Sequence, residues 1–123
     1  MSTFLQLAAE AGADGLILPD LSPEELRSHQ ALAVKLDLDF IHLIAANTPV
    51  ERIRAIDKVS TSFLYCVAYT GVTGQKRELT PQAQKFFVSL RDWISHPLFI
   101  GFGIRTKEDV EYYAPYCDGV IVG

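Results

Sequence analysis

The chain reads as an α/β fold built on parallel strands, and three observations carry that reading. Short apolar runs, Phe63-Leu64-Tyr65-Cys66-Val67 and Pro97-Leu98-Phe99-Ile100 among them, have the unbroken hydrophobicity of strands buried on both faces. Between such runs lie segments with helix start signals and three- and four-residue apolar spacing, so strand and helix alternate with a period of about 30 residues. Two runs end in glycine-rich exits, Tyr69-Thr70-Gly71-Val72-Thr73-Gly74 and Gly101-Phe102-Gly103-Ile104. Glycine lets backbone approach a ligand closely, and parallel sheets build their sites from loops at the carboxyl ends of their strands.

Taken in order, Phe4 to Glu10 reads as the end of a helix, with Gly12 as its terminator. Gly15 to Leu18 is a first strand, ending at Pro19-Asp20. Ser22-Pro23-Glu24-Glu25 opens a helix: serine suits the N-cap, proline the first helical position, and Glu25 completes a capping box. That helix is expected to run to about Leu36. Asp39 to Ile44 is the second strand, and Thr48-Pro49-Val50-Glu51 repeats the start signal for a helix carrying the stripe Val50, Ile53, Ile56 and Val59. Phe63 to Val67 is the third strand. A long loop follows it through Arg77, and Thr80-Pro81 starts a helix with Ala83, Phe87, Leu90 and Ile94 on one face. Leu98 to Ile100 is the fourth strand, Thr106 with Asp109 caps a helix carrying Val110, Tyr113 and Ala114, and Gly119 to Val122 is the fifth strand.

Parallel strands joined by helices require right-handed crossovers. Two architectures fit five of them: an open doubly wound sheet of flavodoxin type, or part of a (β/α)8 barrel. No linker or low-complexity tract divides residues 1–123, which read as one domain. A chain that opens on a helix tail and closes on a bare strand looks cut at both ends, since a whole barrel needs about 250 residues.

Composition narrows the function. Apolar residues make up 49 % of the 123, which argues against disorder. No apolar run reaches the ~18 residues that span a bilayer, and Met1-Ser2-Thr3 lacks the basic start of a signal peptide, so a cytoplasmic location is expected. Net charge is −4 with eleven scattered Lys and Arg, which gives nucleic-acid binding little support. Cys66 and Cys117 are expected to be reduced core residues, and His29, His42 and His96 have no metal-ligand spacing.

The Gly101-Phe102-Gly103 exit is either a phosphate cup, helped by the positive end of the helix capped at Thr106, or a tight turn. Gly123 ends the next strand and would form the opposite wall. Loop 68–78, rich in glycine and hydroxyls, exceeds the usual ~2–6 residues of such connections and reads as a functional loop. Asp20 stands at the carboxyl end of a strand, as base, orienting group or plain turn residue. Tyr65 is either a core tyrosine or a pocket wall; His42 reads as a packed histidine; Asp118 falls at the amino end of its strand, the stability side. No nucleophile–base pair or metal site stands out, and the dinucleotide fingerprint is incomplete, so no cofactor is expected.

Ala11-Gly12-Ala13-Asp14-Gly15 running into Leu18-Pro19-Asp20-Leu21, then Gly71-Val72-Thr73-Gly74, Pro97 through Ile104, and Asp118 through Gly123 together resemble the tryptophan synthase α chain, in matching order along the whole sequence. The resemblance implies a (β/α)8 barrel, here from the end of its third helix through its eighth strand, that cleaves indole-3-glycerol phosphate to indole and glyceraldehyde 3-phosphate. It implies a pyridoxal-phosphate β chain as partner. By the same resemblance, Gly101, Phe102, Gly103 and Gly123 match the substrate-phosphate region. Tyr65, Leu43 and Ile17 match the indole pocket, Thr73 and Gly74 the mobile loop, and Asp20 an orienting aspartate. The family's two catalytic carboxylates fall in its amino-terminal half, so neither is expected here, and the serine and helix expected after Gly123 are absent. Tyr69 stands where a basic residue can occur. The expectation is a lyase fragment that binds without catalysing. The competing readings are a non-catalytic half-barrel that binds a phosphorylated ligand or docks on a partner, and a free-standing flavodoxin-like domain.

Overall fold

The computed structural model describes residues 1–68 and 81–123. The strand segments among these are β1 (Gly15–Ile17), β2 (Asp39–Ile41), β3 (Leu43–Ile44), β4 (Leu64–Val67), β5 (Leu98–Gly101) and β6 (Gly119–Val120). Around them run α1 (Ser2–Glu10), α2 (Pro23–Arg27), α3 (Gln30–Lys35), α4 (Val50–Val59), α5 (Pro81–Trp93) and α6 (Lys107–Tyr113), the last continued by a 3-10 turn over Ala114–Tyr116.

Among the described residues every pairing is parallel, and neighbours follow chain order: β1 with β2, then β3, β4, β5 and β6 side by side. A doubly wound sheet reverses its winding at a switch point. None of the described strands does so, which decides between the two architectures: the sheet is an arc wound in one direction, as in a barrel. The expected second strand, 39–44, is broken at His42. Its first half pairs back to β1 through Ile17↔Ile41, its second forward to β4 through Leu43↔Tyr65. The His42 carbonyl still accepts from Tyr65 N at 3.0 Å, so one chain carries the sheet across the break.

Alternate residues face the helices and pack there. Ile44, Leu64, Cys66, Leu98 and Ile100 meet Ile53 and Ile56 of α4, Ala83, Phe87 and Leu90 of α5, and Tyr113 of α6 in one core. Phe40, Leu38, Leu5, Leu26 and Ala33 form a second, smaller one with Leu16, Leu18 and Leu21 against it. Both cysteines are free and buried, as expected. Burial, helped by the nearby Cys117, pushes the Cys66 thiol up to about 12, and burial raises Cys117 as well, so neither is a ready nucleophile.

Several local signals act as the sequence suggests. α1 ends in a Schellman motif, with Gly12 at φ +92° and the amides of Gly12 and Ala13 donating to Ala9 and Ala8. Ser22 with Glu25, and Thr106 with Asp109, form complete capping boxes. Two expectations need correction. The helix from Pro23 to Leu36 is two helices, because Ser28 Oγ turns back to the Glu25 carbonyl at 2.8 Å and His29 leaves helical backbone at φ −105°, ψ 1°. Thr48 does not cap α4: its hydroxyl accepts from Ala45 N at 2.9 Å, closing the preceding turn, and Pro49 takes the cap position. The expected cap at Thr80 lies outside the described residues.

The amino ends of the strands are tied by carboxylates. Asp118 accepts from Leu98 N at 2.8 Å and from Arg91 Nη1 at 3.0 Å, the structural role expected of it. Asp57, near the end of α4, accepts from the Ser95 amide and hydroxyl and from the His96 amide and ring.

Candidate functional site

The face of the sheet turned away from the helices carries Ile17, Ile41, Leu43, Tyr65, Val67, Phe99 and Gly101, the residues alternate to those of the core. It is apolar yet only partly covered: Ile17 is 44 % exposed, and Leu43, Phe63 and Phe99 are half-buried. Its centre is aromatic. Phe63 stacks on Phe99 with ring centroids 4.6 Å apart, and Tyr65 lies beside Phe102 at 5.4 Å.

Two glycines hold this face together. The Tyr65 ring leans toward the carboxyl end of the sheet and lies on Gly101, so closely that a Cβ there would sit 2.6 Å from Cζ and nearer still to the hydroxyl. Phe99 lies on Gly119 in the same manner, with 3.3 Å to a Cβ added there. Tyr65 is thus both alternatives that its sequence allows, being buried and forming a wall of the inner face. Phe63 and Phe99 were missed by sequence reasoning. Their signal is the alternation Phe63-x-Tyr65 and Phe99-x-Gly101, which sets an aromatic face inside runs that look uniformly apolar.

Beyond Gly101 the backbone turns through two left-handed residues, Phe102 at φ +67° and Gly103 at φ +73°. Glycine adopts that region freely; phenylalanine does so at a cost of about 1–3 kcal/mol, and strain of this kind concentrates at functional sites. Space is open around Gly103, where an added Cβ would meet no atom within 4 Å. Gly123 is equally open. The helix end expected to help here is already used: Asp109 accepts from Arg105 N and Thr106 N, and Thr106 Oγ1 accepts from Asp109 N. The capping box of the seven-residue α6 thus takes up the amides of Arg105, Thr106 and Asp109, which are not left for a ligand.

Asp20 is exposed in the turn after β1, which is closed by Leu21 N donating to the Leu18 carbonyl at 3.2 Å. The structure brings Tyr65, Gly101 and Phe102 into direct contact and sets Leu43 beside Tyr65 in register. Ile17 shares their face one strand further along. Asp20, Gly103 and Gly123 stand at the same carboxyl end of the sheet, Gly103 directly after Phe102, and space is open around both glycines. Thr73, Gly74, Tyr69 and the rest of the long loop lie outside the described residues. His42, read as a packed histidine, is buried, and burial lowers its pKa below the usual imidazole range.

The family model for the tryptophan synthase alpha chain matches residues 1–123. The tryptophan synthase alpha chain of Carboxydothermus hydrogenoformans is 42 % identical over 120 residues, which cover 98 % of this chain and 45 % of that one. Its counterpart in a Roseiflexus species is 46 % identical over 114 residues, covering 93 % and 44 %. Among solved structures, tryptophan synthase subunit alpha from Campylobacter jejuni superposes with a TM-score of 0.82 at 33 % identity, over 99 % of this chain and 49 % of that one. A mutant alpha-subunit from Pyrococcus furiosus gives 0.84 at 28 % identity. The sequence thus spans a little under half the length of the curated relatives it matches, and along its whole length it belongs to the tryptophan synthase alpha chain family.

Proposed function

We propose that this chain supplies the phosphate-binding and indole-binding side of a lyase that cleaves indole-3-glycerol phosphate. The observation that carries the proposal is Tyr65 lying across Gly101, with the left-handed Phe102-Gly103 turn directly beyond it. That arrangement sets an apolar aromatic wall next to exposed backbone with open space in front, which suits a ligand with an indole at one end and a phosphate at the other. In this assignment Gly101, Phe102, Gly103 and Gly123 offer backbone to the phosphate, and the Phe102 ring joins Tyr65, Leu43 and Ile17 as the indole wall. Thr73 and Gly74 belong to the loop that closes over substrate.

The chemistry is a retro-aldol cleavage. The glycerol hydroxyl next to the scissile bond loses its proton as its C–O bond becomes a carbonyl. The carbon–carbon bond to the indole ring breaks, its electron pair passes to the ring, and the ring carbon takes up a proton. Two placed carboxylates suit these transfers. We assign them to the part of the relatives' barrel that this chain does not cover, and give Asp20 the role of orienting a substrate or loop group. The product indole would pass to a β chain with pyridoxal phosphate, and the protein would work in the cytoplasm.

An amide NMR titration of the chain with glycerol 3-phosphate tests the binding half. Saturable shifts concentrated at Gly101, Gly103 and Gly123 are expected, and Gly103→Val, which forces a β-branched residue to φ +73°, should weaken them. A dispersed spectrum that ignores the ligand removes the phosphate site. Indole release when the chain is co-expressed with the first three strands of a relative tests the catalytic half.

A further inference from the structure

Where the sheet comes apart, it leaves a cavity that borders Leu43 of the proposed indole wall and opens toward α4. β1 pairs only as far as Ile17↔Ile41, and its exit then diverges from β3. The gap holds a cavity of about 90 Å³. Leu18, Leu21 and Pro23 form one wall, Arg52 and Ile56 of α4 another, and His42 lies between them. His42 sits midway between Phe40 of the smaller core and Ile44 of the larger, so the cavity marks the seam between the two.

The polar groups there are unused. His42 is 5 % exposed, and its ring has no hydrogen-bond partner among the described residues. No buried side-chain nitrogen or oxygen among the described residues lacks a partner, so the polar edge of this ring is not sealed off but opens on the cavity that it lines. The Arg52 guanidinium likewise makes no ion pair or hydrogen bond there, although it lies near enough to Glu24 to favour that carboxylate's charged form.

We propose that this seam cavity binds a small monocarboxylate, with its carboxylate on Arg52, a hydrogen bond to the His42 ring, and its short apolar body against Leu18, Leu21 and Ile56. One cation and one imidazole among lining residues otherwise of leucine, isoleucine and proline suit a single negative charge. A phosphate dianion would bring a second charge against that lining and against Glu24. At about 90 Å³ the cavity is far smaller than the pockets that hold drug-sized ligands, so only a small acid fits it. Pro19 and Leu21 line the cavity and flank Asp20, so an occupant would also stiffen the turn that carries it. Leu43 borders both this cavity and the proposed indole wall, but Arg52 and His42, which would hold the carboxylate, have no part in the lyase reading.

The test uses the whole chain and sodium propionate, with sodium chloride at equal concentration as control, followed through imidazole and amide NMR signals. His29 and His96 serve as internal references. The expected result is a saturable shift of the His42 ring together with the amides of Leu18 and Leu21. Arg52→Gln should raise the apparent Kd about tenfold or more, as loss of a charge-assisted bond does, and His42→Phe, which fills the cavity, should abolish binding. Arg52 is exposed, so its variant decides the matter even where His42→Phe fails to fold. A linear drift matched by chloride, or an unchanged Kd in Arg52→Gln, overturns the proposal and leaves the cavity to water.

Discussion

At Gly101 there is no room for a methyl group, because the ring of Tyr65 occupies the place where one would go. Gly101→Ala must push that ring off its seat and should cost about 1–3 kcal/mol, the usual penalty for overpacking. Tyr65→Leu removes the obstruction at the price of the ring's own packing, so the pair should be strongly non-additive: Gly101→Ala in the Tyr65→Leu background should cost far less than in the wild type. Urea unfolding of the four proteins checks this, and additive costs would mean that the contact does not govern the site. Gly103, two residues on, is a glycine for another reason. Its surroundings are open and its φ is +73°, so the constraint is backbone handedness. In the sequence the two glycines look alike. What separates them is which residue of the neighbouring strand lies opposite, and that register is invisible until the strands pair. Tyr65 could not be divided between core and wall for the same reason.

At the scale of elements, what could be read depended on how local the determinant is. Both capping boxes and the Gly12 terminator lie within a few residues of one another in sequence, and all three act as their patterns suggest. The break between α2 and α3 rests on whether Ser28 turns its hydroxyl back to Glu25, a choice its residue type permits but does not force. The clamp at Asp57 joins residues 38 and 39 positions apart, beyond any local pattern. Burial of Asp57 works to raise its pKa, but the bonds from the His96 ring and from Ser95 outweigh it and hold the carboxyl below its ordinary value of 3.8. A carboxyl with a depressed folded-state pKa stabilises the fold above its unfolded-state pKa, and that contribution is lost as pH falls through the folded value. The wild type should therefore lose stability from about pH 5 downward, and Asp57→Asn should be less stable at pH 6 yet flatter below pH 4. Urea midpoints across that range measure both. Parallel curves for the two proteins would show that the clamp carries no pH dependence.

For the whole molecule, the decisive property is the direction of winding. The alternation of strands and helices is equally good for an open doubly wound sheet and for a barrel arc; only the order in which strands lie side by side distinguishes them, and here it follows the chain. The consequence is a sheet with helices on one face alone. Its other face keeps Ile17, Leu43, Phe63 and Phe99 partly exposed, and its first and last strands, β1 and β6, each have an unpaired edge among the described residues. The curated relatives that this chain matches are about twice as long. As a separate polypeptide of 123 residues, the chain has only other copies of itself to cover that face, and unpaired parallel edges template association. Its weight-average mass in sedimentation equilibrium should therefore rise with concentration. Replacing Ile17 and Phe99 by serine should lower that association by removing apolar area from the uncovered face, whereas Val88→Ser, on an exposed helix position, should leave it unchanged. A well-folded monomer at every concentration would mean that the inner face is less open than its accessibility indicates, and with it the arc would lose its main physical signature.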